Sequence, residues 1–105
     1  SMGIGVRYIE VTEGDKIFVK EIRRAIVHTF RMGDVEDPEI YAAQPIYEWQ
    51  QTDAGKFVME NAVEPPVWKQ NTDMRNWAYE YVIIAELETK KLSEFYLRWG
   101  NPAIK

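Results

Sequence analysis

The N-terminal third of the chain has the hydrophobic pattern of β-strands. Apolar and polar residues alternate over residues 6–12, and Thr12-Glu13-Gly14-Asp15 has the composition of a turn, so we predict a β-hairpin that continues into residues 16–22. Residues 16–32 fit a helix with Phe18, Ile22, Ala25, Ile26 and Phe30 on one side, and they also fit alternating strands. Because this stretch is rich in β-branched and aromatic residues, we favour a strand over about 22–32.

The middle third has helix signals. Asp37-Pro38 combines a capping carboxylate with a proline at the first helical position, and it predicts a helix start. Pro45 removes an amide hydrogen-bond donor, so the segment 38–51 should be kinked or split there. Thr52 is a candidate cap for a further helix, which Pro65-Pro66 would end.

Two further strands are predicted in the last third. Residues 77–87 and 92–99 alternate around a polar loop at 88–91, and either a two-residue or a four-residue loop places residue 87 opposite residue 92. One face of this hairpin is ordinary core material, and Tyr81 on the other lies directly opposite Arg98. That second face carries an aromatic set of Trp77, Tyr79, Tyr81, Tyr96 and Arg98.

Together these elements predict one α+β domain over residues 1–105. We expect an antiparallel sheet of four to five strands, with a broken helix over 38–62 packed on one face. The pattern shows no internal repeat and no linker that would divide the chain.

Composition and charge narrow the class of protein. The chain has 105 residues, of which 46% are apolar and 29% charged, which is typical of a globular domain, and its longest apolar run is too short for a membrane span. There is no cysteine and only one histidine, so we predict neither a metal site nor a cofactor. The net charge of −4 argues against general duplex binding, and without a signal segment we expect a cytoplasmic protein.

Candidate catalytic chemistry is sparse. Asp34, Glu36, Asp37 and Glu39 lie within six residues but lack the spacing of a calcium-binding loop, so we interpret them as a helix start. His28 has no nucleophile or orienting carboxylate that the sequence identifies. The sequence lacks the motifs that mark the common enzyme classes, so we favour a protein that is not an enzyme.

Three stretches carry a resemblance to known proteins: MGDVEDPEIYAAQP at 32–45, WQQT and GK at 49–56, and the terminal FYLRWG at 95–100. Over about residues 24–99 the chain resembles small uncharacterised proteins of tailed bacteriophages, especially marine ones. The resemblance transfers no catalytic or binding residue. It implies a virus-encoded accessory factor that acts in the host cytoplasm on a host or viral macromolecule.

The functional hypothesis from sequence is therefore non-catalytic interaction. We expect the aromatic set to form a surface for self-association or for a protein partner, since both faces of the predicted hairpin need cover. The alternative is single-stranded nucleic-acid binding, with the same aromatic rings stacking on bases beside Arg98. The second alternative is a small enzyme whose site leaves no linear motif.

Overall fold

A four-stranded antiparallel sheet with helices on one face forms the protein. The computed structural model describes residues 5–33, 36–71 and 79–104. In chain order the elements are β1 (Gly5–Glu13), β2 (Lys16–Met32), α1 (Pro38–Gln51), α2 (Asp53–Asn61), β3 (Val67–Asn71), β4 (Tyr79–Glu88) and α3 (Thr89–Trp99). The strands are ordered β1-β2-β4-β3, with every neighbouring pair antiparallel. The predicted α+β class and antiparallel sheet are confirmed.

The N-terminal hairpin forms as predicted. Glu13 pairs with Lys16 across a two-residue loop, in which Gly14 has a φ of 63°. A positive φ at the first loop position is the pattern of a type II′ turn, whose twist matches that of the flanking strands. The strand interpretation of residues 22–32 is also confirmed, because β2 runs as one strand from Lys16 to Met32 with an irregularity between Ile26 and His28.

The two central helices meet at Thr52, not at Pro45. Helix α1 begins at Pro38 as predicted, but the side chain of Asp37 makes no capping hydrogen bond, and its backbone carbonyl accepts from the amides of Ile40 and Tyr41 instead. The predicted split at Pro45 is wrong, since α1 continues through that residue. The hydroxyl of Thr52 accepts from the amide of Gly55 at 3.0 Å, which confirms the predicted cap of α2.

The predicted C-terminal strand is a helix. Residues 92–99 belong to α3, so the expected pairings of residue 87 with residue 92 and of Tyr81 with Arg98 are wrong. Leu92, Phe95 and Trp99 follow helical spacing, and their burial beneath one side of α3 accounts for the outcome. Strand β4 pairs with β2 on one side and with β3 on the other, which leaves no position for a hairpin partner.

The main cluster of buried residues lies between the helices and one face of the sheet. Phe57 of α2 packs against Phe95 and Trp99 of α3, with ring centroids 6.4 and 5.4 Å away. The buried members of this cluster are Ala25, Val27, Trp49, Phe57, Val58, Ile83, Ala85, Leu87, Leu92 and Phe95. Helices α1 to α3 therefore share one face, which we call the helix-covered face.

Candidate functional site

The aromatic set predicted from sequence does not form one surface. Tyr81 is only 2% exposed, and its ring packs against Phe30 at 5.5 Å and Trp68 at 5.8 Å within the fold. Trp77 and the side chain of Tyr79 lie outside the described residues. The core position of Tyr81 follows from β4 being a central strand, because a central strand under helices buries its residues on that face.

The other two members of the set lie on α3. Tyr96 is half-buried with its ring edge against Phe95, and burial raises the pKa of its hydroxyl. Arg98 lies over the ring of Trp99, 4.2 Å from its centroid, and 3.7 Å from a carboxylate oxygen of Glu94. Neither residue is on the sheet, so the described members of the set do not form the stacking platform for nucleic-acid bases that the hairpin predicted.

His28 has a packing role. Its ring stacks on Trp49 of α1 at 5.6 Å and on Phe30 at 6.1 Å, and burial lowers its pKa. Asp34 of the acidic cluster lies outside the described residues. Among the residues that are described, no three histidine or carboxylate side chains gather in a way that would hold a metal ion.

A different feature stands out: the β1–β2 hairpin projects beyond the rest of the sheet. Strand β4 begins pairing with β2 at Ile22, so within the described part of the chain residues 16–21 of β2 pair only with residues 8–13 of β1. We call residues 8–21 the arm. The molecule measures 53 × 28 × 25 Å and its radius of gyration is 15.4 Å, above the roughly 13 Å expected of a compact chain of this length.

The arm exposes apolar side chains on both of its faces. Directly paired residues share a face, so Tyr8, Ile17 and Val19 lie on the side that carries the helices further along, and Phe18 lies on the opposite side. Tyr8 is 65% exposed, Ile17 and Val19 are each 66% exposed, and Phe18 is 44% exposed. A two-stranded ribbon is marginally stable by itself, and adjacent exposed apolar side chains mark interaction sites.

The edge of β2 in the arm is available for hydrogen bonding. Glu13 and Lys16 close a two-residue loop, so the even-numbered residues of this part of β2 bond to β1, and the odd-numbered ones turn their N–H and C=O groups to the other side. The contact between the Thr89 hydroxyl and the Glu21 carbonyl, at 3.4 Å, agrees with this alternation. None of the described strands pairs with Ile17 or Val19 on that side.

This free edge forms one wall of a half-open groove. The groove has a volume of about 540 Å³ and lies where β4 ends and α3 begins. We call it the notch; its lining residues are Glu13, Phe18, Val19, Lys20, Glu21, Glu88, Thr89 and Lys90. The four β2 residues in this lining span about 13 Å, because a strand rises about 3.3 Å per residue.

Polar contacts hold the inner end of the notch in place. On the helix-covered face, the Thr89 hydroxyl donates to a carboxylate oxygen of Glu21 at 2.5 Å and thereby lowers the pKa of that carboxyl. On the other face, the Lys20 ammonium lies 3.0 Å from a Glu88 carboxylate oxygen. These contacts tie β2 to the start of α3, so the notch has a defined inner boundary.

Sequence reasoning did not identify the arm as a site. The visible signal was the run Ile17-Phe18-Val19, which places apolar residues on both faces of a predicted hairpin. A strand with both faces apolar requires cover on both sides. That inference was applied to the C-terminal hairpin and not to this one.

Comparison with known protein families, curated proteins and solved structures gives no match to this chain. Across the described residues, no helix is both long enough and apolar enough to cross a membrane. The arm and the notch are therefore the features from which we infer a function.

Proposed function

We propose that this protein is a non-catalytic interaction protein that binds an extended polypeptide segment as an added strand in the notch. The observation that carries the proposal is the edge of β2 at Ile17 and Val19, which no described strand pairs with and which borders a groove of about 540 Å³. Strand addition of this kind derives affinity from main-chain hydrogen bonds and specificity from alternate side chains.

The groove supplies both contributions. Ile17 and Val19 direct backbone groups toward an incoming strand, and their side chains are each 66% exposed on one face. Phe18 offers an apolar contact on the opposite face. An incoming segment with alternating side chains would therefore meet apolar contacts on both of its faces.

The charges of the notch favour a polypeptide over a nucleic acid. Its lining combines three carboxylates, those of Glu13, Glu21 and Glu88, with the two ammonium groups of Lys20 and Lys90. Nucleic-acid grooves are predominantly basic, because they neutralise phosphates. A strand of mixed charge suits this lining better.

Two proline substitutions test the site. Val19 and Glu10 face each other across the hairpin, and the amide of each points away from the other strand, so neither Val19→Pro nor Glu10→Pro removes a β1–β2 hydrogen bond. Val19→Pro blocks the edge in the notch, and Glu10→Pro blocks the outer edge of the same arm. The second variant is therefore a matched control for the first.

The assay uses fluorescent nine-residue peptides that alternate Val or Thr with Lys or Glu, with binding followed by anisotropy and amide exchange by NMR. We expect peptide binding to slow exchange of the Ile17 and Val19 amides, and Val19→Pro to weaken binding at least about tenfold, while Glu10→Pro leaves it within about twofold. Slow exchange of these two amides in the unbound monomer would refute the proposal. Loss of binding in Glu10→Pro alone would also refute it.

A further inference from the structure

We infer that the segment that occupies the notch is the arm of a second copy of this chain. The inference rests on the proposed function, because it names the partner for the same edge. Residues 16–20 of β2 would pair antiparallel with residues 16–20 of the second copy, about a two-fold axis at Phe18. The result is one sheet that continues from copy to copy.

The lengths of the two features match. Within the described residues, the part of β2 that extends past β4 is also the part that pairs with no strand but β1, so the strand offered by a second copy is as long as the edge that receives it. Each copy donates one arm and fills one notch. The contact is therefore isologous and closes at two copies.

The register follows from the end of β4. A two-fold axis perpendicular to the sheet keeps corresponding faces of the two copies together. Because side chains alternate between the faces, two paired residues must both be even-numbered or both odd-numbered, and their numbers add to an even total. A total of 36 places Ile17 opposite Val19 of the second copy and Phe18 opposite its own equivalent. A total of 38 would bring Lys16 to Ile22 of the second copy, a position that Glu88 already occupies.

This register also satisfies the backbone. The N–H and C=O groups of Ile17 and Val19 point away from β1, toward the second copy, so each of their two pairings across the axis supplies two hydrogen bonds. The two pairings join side chains that are each 66% exposed in the single copy. Phe18 and its equivalent then form a pair without hydrogen bonds, in which side chains approach closely.

In this register Lys16 lies directly opposite Lys20 of the second copy, and each of these lysines has a carboxylate of its own copy nearby. Lys20 keeps Glu88 as its counter-ion at 3.0 Å, and Lys16 lies directly across the hairpin from Glu13. Asp15, at the tip of the incoming arm, comes opposite Glu21, at the end of the notch that Lys90 also lines. About five residues of each copy take part, fewer than in a standard interface, so we expect a concentration-dependent dimer.

Single cysteines provide the direct test, because the chain has none of its own. Phe18→Cys places two sulfurs on the axis in a pair whose Cα atoms are about 4.5 Å apart, within the range for a disulfide. Lys20→Cys is the matched control: it lies on the same face of the same strand, but the two equivalents are offset by about 13 Å along the strands. We expect Phe18→Cys to form a covalent dimer on mild oxidation at least about tenfold faster than Lys20→Cys.

Sedimentation of the wild-type chain completes the test. We expect a dimer that dissociates on dilution, and a monomer at about 1 mM would overturn the inference, as would equal crosslinking of the two cysteine variants. If that monomer still binds peptides in the notch, the proposed function stands and only the second copy is excluded. Slow exchange of the Ile17 and Val19 amides in the monomer would overturn both.

Discussion

Replacement of Val19 gives the most quantitative test of the paired arms. By symmetry each dimer contains the Ile17–Val19 pairing twice, so one substitution in the chain removes two contacts. A cross-strand apolar pair contributes about 0.2–1 kcal/mol relative to alanine, so Val19→Ala should weaken the dimer by about 0.4–2 kcal/mol. Its Kd should therefore rise by about 2-fold to 30-fold.

Val19→Pro should have a larger effect than Val19→Ala. Proline also removes two of the four inter-copy hydrogen bonds, and each contributes about 0.5–1.5 kcal/mol net. The combined loss of about 1.4–5 kcal/mol corresponds to a Kd at least about tenfold higher. The monomer should keep its stability within about 0.5 kcal/mol in Val19→Ala, because this side chain is 66% exposed in the single copy.

The measurement is sedimentation equilibrium over a concentration series, with thermal unfolding at low concentration as the check on the monomer. Leu97→Ala is the control, since Leu97 is 88% exposed on α3 and lies eight residues after Thr89, the residue of α3 that contacts Glu21. Its substitution removes more exposed apolar surface and should leave the Kd unchanged. The reasoning fails if Leu97→Ala weakens the dimer as much as Val19→Pro does, because general surface hydrophobicity would then account for association.

Three further predictions concern the stability of the fold. Gly55→Ala should destabilise it by about 2 kcal/mol, although alanine normally favours a helix, because the added Cβ would overlap the backbone carbonyl of Trp49; urea unfolding that shows equal or greater stability would contradict this. Arg7 lies 2.7 Å from Glu86 and lowers the pKa of that carboxyl below its ordinary value of 4.5, so the stabilisation is present at neutral pH and is lost as pH falls from about 4.5 through the folded-state pKa. Urea titrations should accordingly show Arg7→Met less stable than wild type at pH 7, with a gap that narrows near pH 3; a constant gap would contradict the assignment. Tyr81→Asp should leave the chain largely unfolded by circular dichroism, since loss of a buried aromatic ring costs about 3–5 kcal/mol before the carboxylate is counted; a folded variant would contradict the core position.

The elements predictable from sequence were those with local chemical signals. The Gly14 turn, the start of α1 at Pro38 and the cap at Thr52 each depend on a few adjacent residues, and all three are present. The helix α3 was missed because its aromatic residues have high β-propensity and because Phe95, Leu97 and Trp99 alternate along the chain. The helical pattern prevails over the strand pattern because Leu92, Phe95 and Trp99 pack in the core on one side of the helix. That packing depends on the position of α2, whose Phe57 contacts Trp99.

The candidate site could not be predicted in the same way. The notch exists because the pairing of β4 with β2 ends at Ile22, whereas β2 itself begins at Lys16. The sequence of either strand alone does not show where their pairing ends. The end of β4 is set by the turn into α3 at Thr89, within the segment interpreted as a hairpin loop. Because α3 was predicted as a strand paired with β4, the notch beside β2 was not predicted.

The two edges of the arm differ in a way that directs pairing to the notch. On the outer edge, near the tip, the residues whose backbone groups face solvent are Glu10 and Thr12, and these lie directly across the hairpin from Val19 and Ile17. Charged and polar residues on an exposed edge discourage uncontrolled strand addition, whereas adjacent apolar residues favour it. Because the apolar edge is also the one that ends against β4, pairing there is limited in length and closes after one partner. A strand added to the outer edge would meet no such limit. At that edge the chain has the charged residue Glu10, directly across the hairpin from Val19.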